Sequence, residues 1–587
     1  MSNVMSLKSF ENKVKRNGFD LSFKNAFTAK AGELLPVFCK EVLPGDKFNI
    51  RGQAFTRTQP VMSAAYVRLR EYYDFFFVPY KLLWNRFPTF FTQLPDYHQA
   101  SDVNTSVSVG DQHPYFTKFD IQKYVNKLNS DDTNKNNLFG YNRALLTCKL
   151  LDFLGYGDFS SMTGSMANDM VMNPMPLLAY QKVCQDFFRD DQWEQAAPYK
   201  YNVDYLVNSS DVHIPVSSIA LDSYNMFDLN YCNYSKDYFM GMLPNSQFGD
   251  ESFASIGSGD NFSLFPSKSG ILPFKSTSSI DSSNVGLSVK SGIDSPDSVQ
   301  PYVDNNGSRV YFGIPYSEFN NLSLSASSGL SILALRQAEA LQKWKEIAQS
   351  GRQDYQTQMQ KHFGVSPSDA MSNHCKYLGG WTSNVDINEV LNTNLDAEAS
   401  QADIKGKGVG TSQGNIEFDA KEHGILIGLY HCLPLLDYNI NGVSKLNMKS
   451  HATDYAVPEF DSIGMQEVPF EELIDGLGAA ADLTLGYVPR YADYKTSVDV
   501  VHGAFNKSLE YWVSPLTTDY LRAYFDAVET KYGSARITYE FFKVNPSILD
   551  NLFGVNADSS VDTDQFLVNS FFDTKAVRNL DYNGLPY

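Results

Sequence analysis

Histidine and cysteine are scarce in this chain, and they do not gather into a reactive pattern. Nine histidines and six cysteines are spread over 587 residues. The cysteines (Cys39, Cys148, Cys184, Cys232, Cys375, Cys432) form no C-x-x-C pair, and a chain this long does not depend on disulfide staples. Free thiols and synthesis in a reducing cytosol are therefore expected. The adjacent pairs His374–Cys375 and His431–Cys432 come nearest to a metal signature. Neighbours in a strand point to opposite faces, however, so each pair offers one ligand per side, and no metal site is expected. Positive charge is also in short supply, with 48 Lys and Arg against 67 Asp and Glu and a net charge of −19. That excludes a surface built as a whole for phosphate, because neutralising a nucleic acid needs clustered cations. Long hydrophobic runs are missing too. The best window, Gly424 to Leu436, contains His431 and Pro434 and falls short of the roughly 18 apolar residues of a membrane helix. The opening MSNVMSLKSF lacks the apolar core of a secretion signal.

Aromatic residues are abundant: 41 Phe and 35 Tyr, with only 5 Trp, make up 14% of the chain together. Phe and Tyr favour strands, and they also favour the buried centres of protein interfaces. The densest stretch lies between Leu34 and Trp84, around Tyr72-Tyr73-Asp74-Phe75-Phe76-Phe77-Val78-Pro79. Six of the first seven of these residues are aromatic or β-branched. The run is apolar on both faces, which predicts a strand covered on both sides.

Taken in order, residues 17 to 60 read as strands divided by turns, Leu43-Pro44-Gly45-Asp46 among them. Residues 96 to 140 are polar, and the Asn/Asp runs around Ser130 to Asn137 read as a surface loop. Helical spacing is present at Leu145 to Leu154 and at Pro176 to Phe188. Between Glu251 and Gln300, 15 of 50 residues are Ser and only three are Lys or Arg. Spaced apolar positions there predict short exposed strands in a surface insertion. SILALRQAEALQKWKEIAQSG, from Ser331 to Gly351, is the clearest helix, and a second helical piece runs to Phe363. Gly424 to Leu436, Leu483 to Val488 and Ala535 to Phe542 read as strands. Gly406-Lys407-Gly408-Val409-Gly410 lacks the GKS or GKT ending of a phosphate loop and reads as a mobile glycine loop.

The pattern predicts a mainly β fold, a sandwich or jelly roll with a few helices. Its expected divisions are residues 1–244 as the first part of the β domain, 245–321 as the surface insertion, and 322–587 as the remainder. No catalytic residue, cofactor or metal is assigned. The one local concentration of cations is the N-terminal arm, where six positive residues among the first thirty outweigh two negative ones. Lys13, Lys15 and Arg16 are its candidate phosphate contacts.

The ordered blocks EVLPGDKFNI, YYDFFFVPYKLLW, PLLAYQKVCQDFFRDDQW, KDYFMGMLPNSQFGD, HFGVSPSDA, KYLGGWTSNVDINEVLNT, EHGILIGLYHC and LGYVPRYADYKTSVDVVHGAF resemble the major capsid proteins of the Microviridae. The similarity runs to the gokushovirus-like branch of these single-stranded DNA phages. The blocks follow the family's order over nearly the whole chain. The resemblance implies an eight-stranded antiparallel jelly roll with long loop insertions, and self-assembly into a T=1 icosahedral shell around a circular single-stranded DNA genome. It also implies a small basic DNA-packaging protein and other virion proteins as partners. The insertion after Leu243-Pro244 would form a protrusion at the three-fold axes and meet a host cell-surface receptor. A virion assembled in the bacterial host cytoplasm, and no enzyme, is the expectation. The competing reading is a surface carbohydrate-binding β protein, which would need an export route.

Overall fold

The computed structural model describes residues 16–92, 113–159, 170–247, 287–311, 332–391 and 404–582, apart from short breaks inside these ranges. Nine strands build the main antiparallel sheet: β1 (Asn17–Asp20), β2 (Phe23–Ala29), β3 (Leu35–Val42), β4 (Lys47–Thr58), β5 (Leu69–Pro79), β6 (Lys376–Leu391), β7 (Ile404–Asp419), β8 (Gly424–Pro434) and β9 (Phe566–Arg578). Their order is β1-β9-β4-β7-β6-β5-β8-β3, with β2 also pairing β9. β1 meets the Arg578 end of β9 and β2 meets its Phe566 end, so these two act as one edge strand broken at Leu21-Ser22. Eight strand positions remain. They form one group of four (β1/β2, β9, β4, β7) and another (β6, β5, β8, β3), joined through the β6–β7 pairing. This is the strand order of a jelly roll, two sheets wound from one long folded hairpin.

The pleat explains what fills it. β4 alternates buried and accessible along its whole length, as does β9, so each gives one face to the core and one to water. Inside, aromatic rings from opposite sheets meet edge to face. Phe572 of β9 lies 5.6 Å from Phe38 of β3 and 6.2 Å from Phe75 of β5, measured between centroids. Trp381 of β6 stacks on Tyr73 at 5.4 Å. Trp381 fits because Gly52 and Gly414, partners across β4 and β7, leave it room. A Cβ would fall 2.1 Å from its ring at Gly52 and 2.3 Å at Gly414. β5, expected to be covered on both faces, is so covered. Tyr73 and Phe75 face this core, and Phe76 packs on Phe187 at 4.8 Å and on Phe188 at 6.1 Å.

Those last two rings come from the residues between β5 and β6. That stretch supplies α1 (Lys118–Asn129), α2 (Arg143–Phe153), α3 (Met175–Val183, running on through a π-helical turn to Phe188), and the two helices expected after the Ser-rich segment, α4 (Ile332–Gln349) and α5 (Tyr355–Phe363). Residues 435–565 add α6 (Thr518–Tyr532). Two compact units are distinguishable, residues 1–248 with 348–587, and residues 249–347. In the second, Leu287–Ser291, Val299–Asn305 and Ser308–Tyr311 form a three-stranded antiparallel sheet. The rest of the expected insertion at 245–321 lies mostly outside the described residues.

The Asn/Asp-rich stretch at Ser130 to Asn137 is in turns, as expected, and before it stands α1, started by a capping box between Thr117 and Asp120 and buried through Ile121, Tyr124, Val125 and Leu128. Two expectations are corrected. The glycines at 406–410 are inside β7, not in a loop. A side chain at Gly408 would strike Thr58, and one at Gly406 the backbone of Ser63, so glycine here permits close approach of neighbouring chain segments. Tyr539–Phe542, expected as strand, is a 3₁₀ turn. The Tyr524 hydroxyl accepts from the Thr538 amide at 3.1 Å, and Phe541 and Phe542 pack on Tyr524 and Trp193. Packing here overrides strand propensity.

Gly414→Ala is expected to lower stability by about 1–3 kcal/mol through overpacking against Trp381. Gly18→Ala, where a Cβ meets nothing within 4 Å, is expected to be near neutral. Denaturant unfolding of the two variants side by side checks this.

Candidate functional site

The residues with the chemistry of an active site turn out to be structural. His431 and Cys432 are both buried in β8. The His431 ring stacks on Tyr72 with centroids 4.8 Å apart and planes 5° from parallel, and meets Phe188 edge-on at 5.5 Å. Burial pushes its pKa down to about 3, so at neutral pH it is an uncharged aromatic. Cys375 donates from its thiol to the Asp186 carboxylate at 2.9 Å and from its amide at 2.8 Å. Lys182 closes the other oxygen at 2.8 Å, with His374 Nδ1 at 3.7 Å. This Cys, His and Asp grouping has the residue types of a nucleophilic site. Burial, reinforced by the Asp186 charge, drives the Cys375 pKa well up, and a thiol held protonated is a poor nucleophile. Gly410-Thr411-Ser412-Gln413-Gly414 spells G-x-S-x-G, which the sequence reading passed over. It lies within β7 with Ser412 buried, whereas a nucleophile elbow needs an exposed strand-to-helix turn. Among the described residues no three His, Cys, Asp or Glu side chains are grouped to hold a metal ion, and all six cysteines are unpaired.

The buried charges instead tie distant parts of the chain together. Lys30, at the end of β2, meets Asp564, just before β9, at 2.6 Å. Lys149 of α2 reaches Asp564 at 3.0 Å and Glu33 at 2.6 Å. Two cations and two carboxylates, each almost fully buried, therefore balance. Further donors, the Lys30 amide to Glu33 Oε2 and the Thr28 hydroxyl to Asp564, join the group, while Glu33 Oε1 is buried without a hydrogen-bond partner. Arg143, at the start of α2, grips Asp228 with two nitrogens, each at 2.8 Å. No sequence pattern pointed to these groups, because their partners stand up to 534 residues apart.

Of the predicted phosphate contacts, Lys13 and Lys15 lie outside the described residues. Arg16 is exposed and donates to the Asn579 side chain at 3.0 Å and to the Gly45 carbonyl at 2.8 Å. This pins the start of β1 beside the end of β9. The accessible apolar side chains are more telling. Leu446, Tyr455, Ile463 and Tyr494 are each 53–71% exposed, all in the segment between β8 and β9. Leu446 and Tyr494 border a groove of about 790 Å³ shared with Val498 and Val500. Apolar surface of this kind on a folded chain marks a protein contact.

The comparisons with known proteins give this jelly roll its family. The model of the family described as "Capsid protein (F protein)" matches residues 8–145 and 149–586. The capsid protein VP1 of Chlamydia phage 1 is 26% identical over 540 residues, covering 84% of this chain and 85% of its own. The capsid protein VP1 of Bdellovibrio phage phiMH2K is 23% identical over 523 residues, covering 85% and 84%.

Two outcomes test the roles assigned to buried groups. Lys149→Met leaves a net negative charge in the interior and is expected to cost about 3–5 kcal/mol of unfolding free energy, part of which Lys149→Met with Glu33→Gln restores. The depressed His431 pKa means that the unfolded chain takes up protons between pH ~6.5 and ~3 that the folded chain refuses. Stability contributed by the neutral ring is thus present above that window and lost as pH falls through it. His431→Phe is expected to make the melting temperature less sensitive to acid across it. This chain belongs to the phage capsid protein (F protein) family and is a structural protein rather than an enzyme.

Proposed function

We propose that this chain is the major building block of a T=1 icosahedral virion shell enclosing a circular single-stranded DNA genome. The observation that carries the reading is the combination of the complete jelly-roll strand order with the exposed apolar loop around Leu446 and Tyr494. A sandwich already closed on its own core has no internal use for those side chains, whereas copies related by closed rotations bury such surfaces against each other. Assembly takes place in the bacterial host cytoplasm. The segment at 245–321 forms the three-fold protrusion and contributes to host attachment, its Ser-rich and weakly charged sequence suiting a variable surface in contact with a receptor.

The net charge of −19 gives the genome little general attraction to this protein. The bulk of phosphate neutralisation falls to a small basic packaging protein, with Lys13, Lys15 and Arg16 adding non-specific contacts from the interior.

Purified protein is expected to form uniform closed particles in electron micrographs, and Leu446→Asp to leave folded chains that do not close. Persistent wild-type monomers at high concentration would sink the proposal. Reversing Lys13 and Lys15 to Glu is expected to lower the DNA content of particles and its sensitivity to salt. Unchanged content would remove the arm from the account.

A further inference from the structure

One face of the sandwich is open to water. On the outward side of β2, β9, β4 and β7 the strand pairing sets side chains in ranks. Lys24, Phe571 and Gln53 stand side by side; Asn569 stands beside Phe55 in the next rank, and Leu567 beside Arg57 in the one after. Lys24, Gln53, Arg57, Leu567, Asn569 and Phe571 are exposed and Phe55 is half-exposed, with Phe571 45% accessible. No carboxylate stands in these three ranks on the four strands. The acids of this face collect at its other end, where Asp419 meets Lys47 at 3.1 Å, Asp20 meets Lys575 at 2.6 Å and Glu417 accepts from the Asn49 side-chain amide at 3.0 Å. Asp573, beside Arg51, is held by Lys575 at 3.2 Å and by the Ser22 hydroxyl at 3.1 Å. Among the described residues Lys24, Arg51 and Arg57 make no ion pair with a carboxylate, and the Arg57 guanidinium lies over the Phe55 ring, 5.0 Å from its centroid.

We infer that this sheet face is a binding platform for single-stranded nucleic acid, a reading that rests on the genome-enclosing role proposed above. Three features select that occupant. The patch is cationic on a chain of net charge −19, so it calls for an anionic partner and excludes a basic one. Its exposed rings stand on adjacent strands two residues out of line, a diagonal of roughly 7–8 Å. This spacing presents two stacking positions for successive unstacked bases, the open Phe571 ring and the Arg57 guanidinium layered on Phe55, with cations beside them for the phosphates. Amide side chains, Asn569 and Gln53, lie between the rings and can exchange hydrogen bonds with any base edge. A sheet that offers exposed aromatics from its central strands is a recurrent way of reading single strands without strong sequence preference. The edge strand of the same sheet starts next to Arg16, at the end of the face away from these ranks.

The test uses the purified full-length chain and a fluorescent oligothymidylate, with anisotropy read over a salt series. Wild-type protein is expected to bind in a salt-sensitive manner. Lys24→Gln, Arg51→Gln and Arg57→Gln together should weaken binding at least tenfold and lower the log–log salt slope by about two, from roughly 0.7 per phosphate contact. Phe571→Ser should weaken binding by on the order of 5–100-fold with the salt slope unchanged, the signature of lost stacking. All these residues are exposed or half-exposed, and circular dichroism checks that the variants remain folded. Binding equal to wild type in both variants overturns the inference. So does wild-type affinity in a triple variant that no longer closes into particles, since the face would then be a contact between copies. Particle formation reads the shell proposal and oligonucleotide binding reads the platform, so either can fail while the other stands.

Discussion

The Phe75 to Pro79 half of strand β5 has no face that it can show to water, and much of the architecture answers that constraint. On one side Tyr73 and Phe75 demand an opposing sheet, which β9 provides through Phe572, while Trp381 of the neighbouring β6 packs on both rings from within their own sheet. On the other side Phe76 demands a lid, which the π-helical turn after α3 provides through Phe187 and Phe188. The lid is drawn from the long excursion between β5 and β6, so the excursion is part of the core and not an ornament on a finished sandwich. At about 25 cal/mol per Å² of apolar surface, each buried Phe contributes roughly 2–3 kcal/mol. A strand with four aromatic rings inside is therefore a main source of cohesion.

Buried ions complement this oily centre in a different way. The Lys30, Glu33, Lys149 and Asp564 group is costly to desolvate, and hydrophobic replacements are often as stable. What it adds is geometry: β2, α2 and the approach to β9 meet there in one arrangement only, since any slip strands a charge. Arg143 and Asp228 do the same for the other end of α2. In a particle built from many identical copies, such definition of each copy's shape matters more than its last increment of stability.

Local periodicity made some of this legible in the sequence and tertiary contact hid the rest. β5, α2, α3 and α4 were readable because their apolar positions follow strand or helix spacing without outside help. α1 was not, since Ile121, Tyr124, Val125 and Leu128 are diluted by Lys, Asp and Asn and by a buried polar residue, Gln122. The glycines of β7 carried a misleading signal. Their meaning is the presence of Trp381, Thr58 and Ser63 nearby, which no window around residue 408 contains. Strand propensity in ARITYEFF lost to the pull of Tyr524 and Trp193 on its rings. The open sheet face had a faint signature, the alternation in FLVNSFFDTKAV, but only pairing with β2 and β4 brings Lys24 and Arg57 alongside Phe571 and Leu567.

The position of β9 has a consequence for the history of every molecule. This strand lies between the first ones and β4, so the sheet stays split until β9 has been made. At typical synthesis rates, roughly half a minute to two minutes pass before Phe566 to Arg578 clear the ribosome. During that interval β4 presents an unpaired edge, and the inner rings of β3 and β5 lack the Phe572 that will cover them. Partial chains of neighbouring ribosomes offer one another the same edge, a hazard for aggregation. Completion is then a single late insertion over long loop distances, which is slow. A chain lacking β9 cannot form this sandwich, so the pool available for building shells is restricted to molecules translated through that strand.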